Sequence, residues 1–221
     1  MEELKTKFLF LNKSASLAYD FLQSFEYPWQ ALPFIKDYIT ELGATLPTEE
    51  YEEISPQVWV ARDARVEKSA YVGAPCIVCH GAQVRHCAYI RGSALVGQGA
   101  VVGNSTELKN CILFGGAAVP HYNYVGDSIL GYCAHMGAGS ITSNVKGDKG
   151  IVKILGKVDT GLSKVGAFLG DFAEIGCGAV LNPGTVVGVG ARVYPLSSVR
   201  GRVPAYHIYK GKGEVTKICA E

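Results

Sequence analysis

The sequence predicts an all-β fold, a parallel β-helix of hexapeptide repeats with a small helical N-terminal cap, and three observations carry that reading. A branched aliphatic or aromatic residue returns at every sixth position: Val60, Val66, Val72, Val78, Val84, Ile90, Val96, Val102, Leu108, Phe114. A small or β-branched residue stands two before nearly every one, from Ala64, Ala70 and Cys76 to Ala100 and Thr106, then Ile112 and Ala118. After an interruption the double comb resumes as Leu169, Ile175, Leu181, Val187, Val193 and Val199. A period of six suits neither an amphipathic helix nor a hairpin sheet. It marks short strands wound into a solenoid, each of which buries its apolar side only against its neighbours.

Residues 1–53 lack this beat and read as helical. Trp29, Leu32, Ile35, Ile39 and Leu42 recur at three and four, with Pro28 near the start and Gly43 past the end. A shorter helix is expected over 16–24, where Leu17, Phe21 and Leu22 share a face. An exposed terminal coil offers unpaired backbone to other chains, so this region reads as a cap on the first coil; a part in substrate binding is the other reading. Over 54–204 side chains alternate across each strand, which turns the aliphatic and small residues inward and the positions between them to solvent. If three hexads close one triangular coil, residues 18 apart stack at about 4.8 Å. The beat slips by one after Pro120 (Val125, Leu130, Met136) and vanishes over 143–164, a loop excursion of the kind that carries function. Residues 205–221 read as a C-terminal tail.

A chain of 221 residues holds one solenoid and a small appendage. Its net charge of +1 supplies no field for nucleic acid or anionic membrane, and no apolar run approaches the roughly 20 residues that span a bilayer. The seven cysteines are odd in number and follow no secretory signal, so a reducing cytoplasm is expected.

Two positions on the comb invite chemistry. Arg91 and Lys109 are 18 apart and stack on one outer edge; two cations that close repel one another unless an anion lies between them, so the column is a candidate phosphate site. The other reading is a solvated edge, as for Glu67 under Arg85, also 18 apart, where an ion pair is worth about 0–1 kcal/mol. His121 falls where the beat slips, in the column of Glu67, Arg85 and Gly103. An edge imidazole is either solvated or a general base for an amine or hydroxyl attacking a thioester.

The comb as a whole resembles the left-handed β-helix acyltransferases, which implies a left hand, a homotrimer and acetyl-CoA in the groove between subunits. More closely, Arg91, Lys109, His121-Tyr122-Asn123-Tyr124-Val125-Gly126-Asp127 and Gly137-Ala138-Gly139-Ser140-Ile141-Thr142-Ser143-Asn144 resemble the acetyltransferase domain of the bifunctional UDP-N-acetylglucosamine pyrophosphorylase/glucosamine-1-phosphate acetyltransferases. Their pattern is Arg, 17 residues, Lys, 11 residues, His-x-x-Tyr-x-Gly-Asp, then Gly-Ala-Gly-Thr-Ile-Thr-x-Asn. The resemblance implies that Arg91, Lys109 and Tyr124 hold a sugar phosphate, that His121 is the general base, and that Asn144 helps position the sugar. His135 stands where the family has Asn and joins the expected substrate contacts; Val145 replaces an aromatic, and the family's sugar-binding lysine falls at Gly150, beside Lys149. For acetyl-CoA the resemblance points to Gly170 and Ala179 beside the pantetheine arm and to Lys210 and Lys212 at its phosphates. The nucleotidyltransferase half is absent, which leaves room for a separate nucleotidyltransferase chain as partner.

Cys76-Ile77-Val78-Cys79-His80 spells a haem-attachment pattern, but Cys76 takes an inward slot and Cys79 an outer one, so the thiols diverge. His80, His86 and His121 lack the spacing of the zinc-binding hexapeptide carbonic anhydrases, and no metal is expected. The sequence thus implies an acetyl-CoA-dependent acyltransferase for an amino sugar phosphate or nucleotide sugar. The alternative is a non-catalytic nucleotide-sugar-binding or regulatory partner of a nucleotidyltransferase.

Overall fold

The computed structural model describes residues 1–218, and Cys219 lies outside them. From Val58 the chain winds as a three-walled prism, passing in each coil from a covered wall to an open wall to a tyrosine wall. The covered wall begins with Val58–Ala61, Cys76–Val78 and Ala94–Val96; the open wall with Arg65–Val66, Gln83–Val84 and Val101–Asn104; the tyrosine wall with Tyr71–Val72 and Tyr89–Ile90. All stack in parallel. Two longer strands, Glu107–Leu113 and Tyr124–Leu130, run round the edge between the tyrosine and covered walls and join those walls into one sheet.

The comb residues fill the prism, but the register differs from the sequence expectation in one place. Val78 pairs Val96, a step of 18, whereas Val96 pairs Leu113 and Leu113 pairs Leu130, steps of 17. The slip therefore lies at Lys109–Asn110, before Pro120. Asn110 adopts φ +50°, a left-handed conformation that Asn tolerates, and turns the corner in one residue fewer. Cys111 and Leu113 consequently point inward, while Ile112 and Phe114 face the other way.

Every departure from six falls on that edge. Across the other two edges the inward residues keep their spacing, as in Leu113–Val119–Val125 and Leu169–Ile175–Leu181. From the tyrosine wall to the covered wall the intervals are six at Ile90–Val96, five at Leu108–Leu113 and at Val125–Leu130, 27 at Thr142–Leu169 and four at Val199–Val203. The interval of 27 holds the excursion, where Lys153–Ile154 pairs antiparallel with Val158–Asp159 and buries Val152 and Ile154.

The N-terminal region does not cap the first coil; it clothes the covered wall. The outward residues there are apolar, not solvent-facing: Trp59, Ile77, Leu95, Ile112, Ile129, Phe168 and Val186 are buried against Leu4, Phe10, Trp29, Leu32, Ile35 and Ile39. Each such side chain is worth about 1.5–3 kcal/mol when removed from water. The expected long helix starts as a 3₁₀ segment, Pro28–Phe34, and becomes α-helical only over Ile35–Gly43, because Pro33 has no N–H to give. The shorter helix is Tyr19–Gln23. The first coil is capped instead by Tyr51–Ser55, which runs antiparallel to Val58–Ala61. At the other end His207–Gly211 stacks on Arg192–Val193 and folds back against Glu214–Lys217, so the expected tail extends the open wall. No helix among the described residues is long and apolar enough to cross a membrane.

Candidate functional site

The short corners build one half of the site. Tyr89 and Ile90 pair Glu107 and Leu108, which sets Arg91 under Lys109, and Lys109 pairs Gly126 above it. The cations are not bare. Arg91 Nη1 lies 3.0 Å from Glu107 Oε1, and Lys109 Nζ lies 2.9 and 3.0 Å from the two oxygens of Asp127. Their mutual repulsion is thus offset by internal carboxylates, where the sequence suggested an external anion. Asp127, at 3% exposure, also accepts from Asn110 Nδ2 at 2.9 Å and from Asn144 Nδ2 at 2.6 Å.

Tyr124 projects from the tyrosine wall, in register with Glu107 below and Ile141 above. Its phenol folds over Gly126, where an added Cβ would meet the phenolic oxygen at 2.4 Å. Burial, followed by the carboxylates of Asp127 and Glu107, raises its pKa against the opposing pull of Asn144 and Arg91, so the hydroxyl stays protonated and able to donate.

His121 lies on the edge between the open and tyrosine walls. The shortened coil places it over Asn104, whose side chain donates to the His86 carbonyl; its column is His86 and Asn104 instead of Arg85 and Gly103. Pro120 takes the place above Gly103, and a Cβ on Gly103 would come within 1.6 Å of the Pro120 carbonyl oxygen. The His121 backbone N–H donates to Asn123 Oδ1, and the buried Asn123 amide donates to the carbonyls of Gly137 and Ser140. This network locks the edge under an exposed imidazole.

His135 sits on the open wall with Nδ1 3.0 Å from Glu174 Oε2, one wall away from Tyr124. It flanks the His121 edge from the far side and does not join Arg91, Lys109, Tyr124 and Asn144. Ala179 is fully buried and points into the prism, so it lines no groove. Gly170 is buried too; a Cβ there would strike the Val189 backbone nitrogen at 2.8 Å, so its smallness serves coil stacking. Lys210 pairs Glu214 at 3.3 Å, and Lys212 forms the hairpin turn at φ +51°. Glu67 pairs Arg65 at 2.6 Å, while Arg85 turns to Gln83, so the 18-step column there holds no ion pair. Lys149 closes a turn on Lys146 inside the excursion.

Cys76 lies in the prism and Cys79 on the opposite side under Tyr51, so the two thiols diverge; burial pushes Cys79 up to about 12. His80 is taken by Asp63 and Glu50. Among the described residues no three His, Cys, Asp or Glu side chains converge as metal ligands. A cleft of about 820 Å³ opens at the third edge between Leu11–Ser14 and Asp171, Phe172, Val189 and Tyr206. It contains none of the sequence-predicted site residues, and the Asp171 carboxylate already accepts from Leu11, Asn12 and Tyr132.

Sequence reasoning passed over Asp127, Asn110 and Glu107. The signal was a spacing of 17: Asn110, Asp127 and Asn144 differ by 17 each, visible once the slip is placed at Lys109–Asn110.

No protein-family model matches the chain. It is 33% identical over 115 residues to a bifunctional sugar-1-phosphate nucleotidylyltransferase/acetyltransferase of Sulfurisphaera tokodaii, covering 51% of this chain and 27% of that protein. It is 38% identical over 84 residues to the bifunctional protein GlmU of Methanococcus maripaludis, covering 37% of this chain and 20% of that protein. The match thus spans about a quarter or less of these relatives. Among solved structures it is similar to a mutant of AntD, an N-acyltransferase from Bacillus cereus in complex with dTDP and coenzyme A, at a TM-score of 0.37 and 17% identity over 74% of this chain and 80% of that one. With its comb, its parallel prism and this shared segment, the chain is a hexapeptide-repeat β-helix protein related to the GlmU-type bifunctional acetyltransferases.

Proposed function

We propose that the chain transfers an acetyl group from acetyl-CoA to an amino sugar carrying a phosphate or nucleotide. One observation carries this reading: an edge bearing His121 and an edge bearing Arg91 and Lys109 flank the same exposed wall. From His121 to Gly126 the chain runs five residues, turning the corner at Tyr122 (φ +53°) before it enters the tyrosine wall, and Tyr124 stands between. A hexose lying over Tyr124 would present its phosphate to Arg91 and Lys109 and its amine to His121.

In this mechanism Arg91, half-exposed, offers guanidinium N–H groups beyond the one held by Glu107. Lys109 keeps one ammonium N–H free of Asp127, and the Tyr124 hydroxyl donates to the same phosphate. His121 takes the amine proton as nitrogen attacks the thioester carbonyl; collapse expels the CoA thiolate, which receives a proton. For the cofactor, the turns above His121 stack through Gly139 N–H to the His121 carbonyl, Gly178 N–H to Ala138 and Leu196 N–H to Cys177. Lys210 stands over Tyr194 on the same edge, four strand spacings or about 19 Å above His121. That suits an extended pantetheine arm with its phosphates toward Lys210 and Lys212. A homotrimer with the thioester in the groove between subunits is part of the same reading.

The test is acetyl transfer to glucosamine 1-phosphate and to nucleotide-linked amino sugars, followed by thiol release. His121→Ala is expected to lower kcat by about 10²–10⁴; full activity in that variant would remove the base assignment. Calorimetric titration with acetyl-CoA separates this enzyme from a non-catalytic sugar-binding partner, which would bind no CoA.

A further inference from the structure

We infer that Asp127 is a positioning residue that holds Lys109 and Asn144 in place for the acceptor phosphate and ties both to the N-terminal covering. This rests on the phosphate-acceptor reading above. Asp127 is nearly fully buried, so its carboxylate is not itself offered to a ligand. Its oxygens gather donors from the two neighbouring coils: Lys109 Nζ and Asn110 Nδ2 from the coil below, and Asn144 Nδ2 from the coil above. A long lysine stem and an amide at the mouth of a 22-residue excursion would otherwise sample many rotamers, and a ligand would have to order both at its own cost. Anchored to one buried carboxylate, they are ordered beforehand.

The anchor reaches further than the site. Asn110 Nδ2 also donates to the carbonyl of Leu32, in the helical segment over the covered wall. Leu32 is buried in the same apolar layer as Ile112 and Ile129. The covering is thereby connected through Asn110 and Asp127 to the clamp, although no residue of the covering lines it. Asn110 does its part without contacting the acceptor.

The experiment compares the wild-type chain with Asp127→Asn and Asn110→Ala in acceptor kinetics and in backbone hydrogen exchange of residues 143–164. Asp127→Asn is expected to raise the acceptor KM at least tenfold with kcat within threefold, and Asn110→Ala to raise it severalfold. Both should speed exchange over 143–164. A lower KM in Asp127→Asn would overturn the proposal, because it would make the carboxylate a competitor for Lys109. An unchanged KM and unchanged exchange would overturn it as well. If Asp127→Asn does not fold, Asn110→Ala alone decides, since a purely local effect leaves its KM at the wild-type value. If the wild-type chain turns over no amino sugar phosphate, the functional reading fails separately, and the exchange comparison still tests whether Asp127 orders the edge.

Discussion

At the scale of single residues, the site depends on close approaches that only glycine permits. A methyl group on Gly126 would collide with the far end of the Tyr124 side chain, which can swing aside, whereas one on Gly103 would collide with Pro120 backbone, which cannot. Gly126→Ala is therefore expected to leave the melting temperature within a few degrees while weakening acceptor binding. Gly103→Ala should cost several kcal/mol, on the scale of overpacking and backbone strain; thermal unfolding and acceptor titration on the two variants check the contrast. The thiols divide as sharply. Burial pushes Cys79 and Cys111 up to about 12 and Cys76 higher still, whereas Cys87 and Cys177 are exposed. At pH 8 the buried thiols therefore stay protonated and unreactive. A thiol-reactive dye should label Cys87 and Cys177 in the native protein and reach Cys76, Cys79 and Cys111 only after unfolding, as peptide mapping would show.

Among elements, the capping strand Tyr51–Ser55 and the turn before it are tied to the first coils by His80, which bridges Asp63 and Glu50. Partial burial lowers the imidazole's pKa, but hydrogen bonds to the two carboxylates outweigh it, so the folded value lies above the ordinary 6.5. A raised folded pKa gives stability that is fully present below 6.5 and lost as pH climbs through the folded value. The melting temperature should fall between pH 6 and 8 more steeply in the wild type than in His80→Ala; equal slopes would refute the linkage. The covered wall supplies the other element-scale expectation. Phe168 is fully buried against Trp29, at a ring-centroid distance of 6.0 Å, so Phe168→Ala should cost about 3–5 kcal/mol in denaturant unfolding. The comb was legible because inward positions take apolar side chains, with threonine at a few of them, such as Thr106, Thr142 and Thr185. The covered wall was equally present in sequence, as Trp59, Ile77 and Leu95 at steps of 18, but an expectation that every intervening position meets water hid it. Of the site, Arg91 under Lys109 followed from an unbroken step of 18. Beyond Asn110 that count was one residue out, which moved His121 off Arg85 and left the 17-step alignment of Asp127 unseen.

For the whole molecule, two walls and the edge they share stay free of the covering, and His121 lies on that edge. Removing residues 1–50 would expose Ile77, Leu95, Ile112, Ile129, Phe168 and Val186 in one continuous stripe, far larger than soluble chains leave bare. The truncated chain is expected to aggregate in light scattering while the full chain does not. The confinement of all irregular spacing to one edge has a different consequence, concerning how such a molecule changes over generations. Length there is free: intervals of four, five, six and 27 all return the chain to the same wall, so insertions and deletions leave the stack intact. The same edge holds Arg91, Lys109, Asp127 and Asn144. Coils can therefore gain or lose residues by the addition or deletion of codons along this one seam, with the other two edges of the stack untouched.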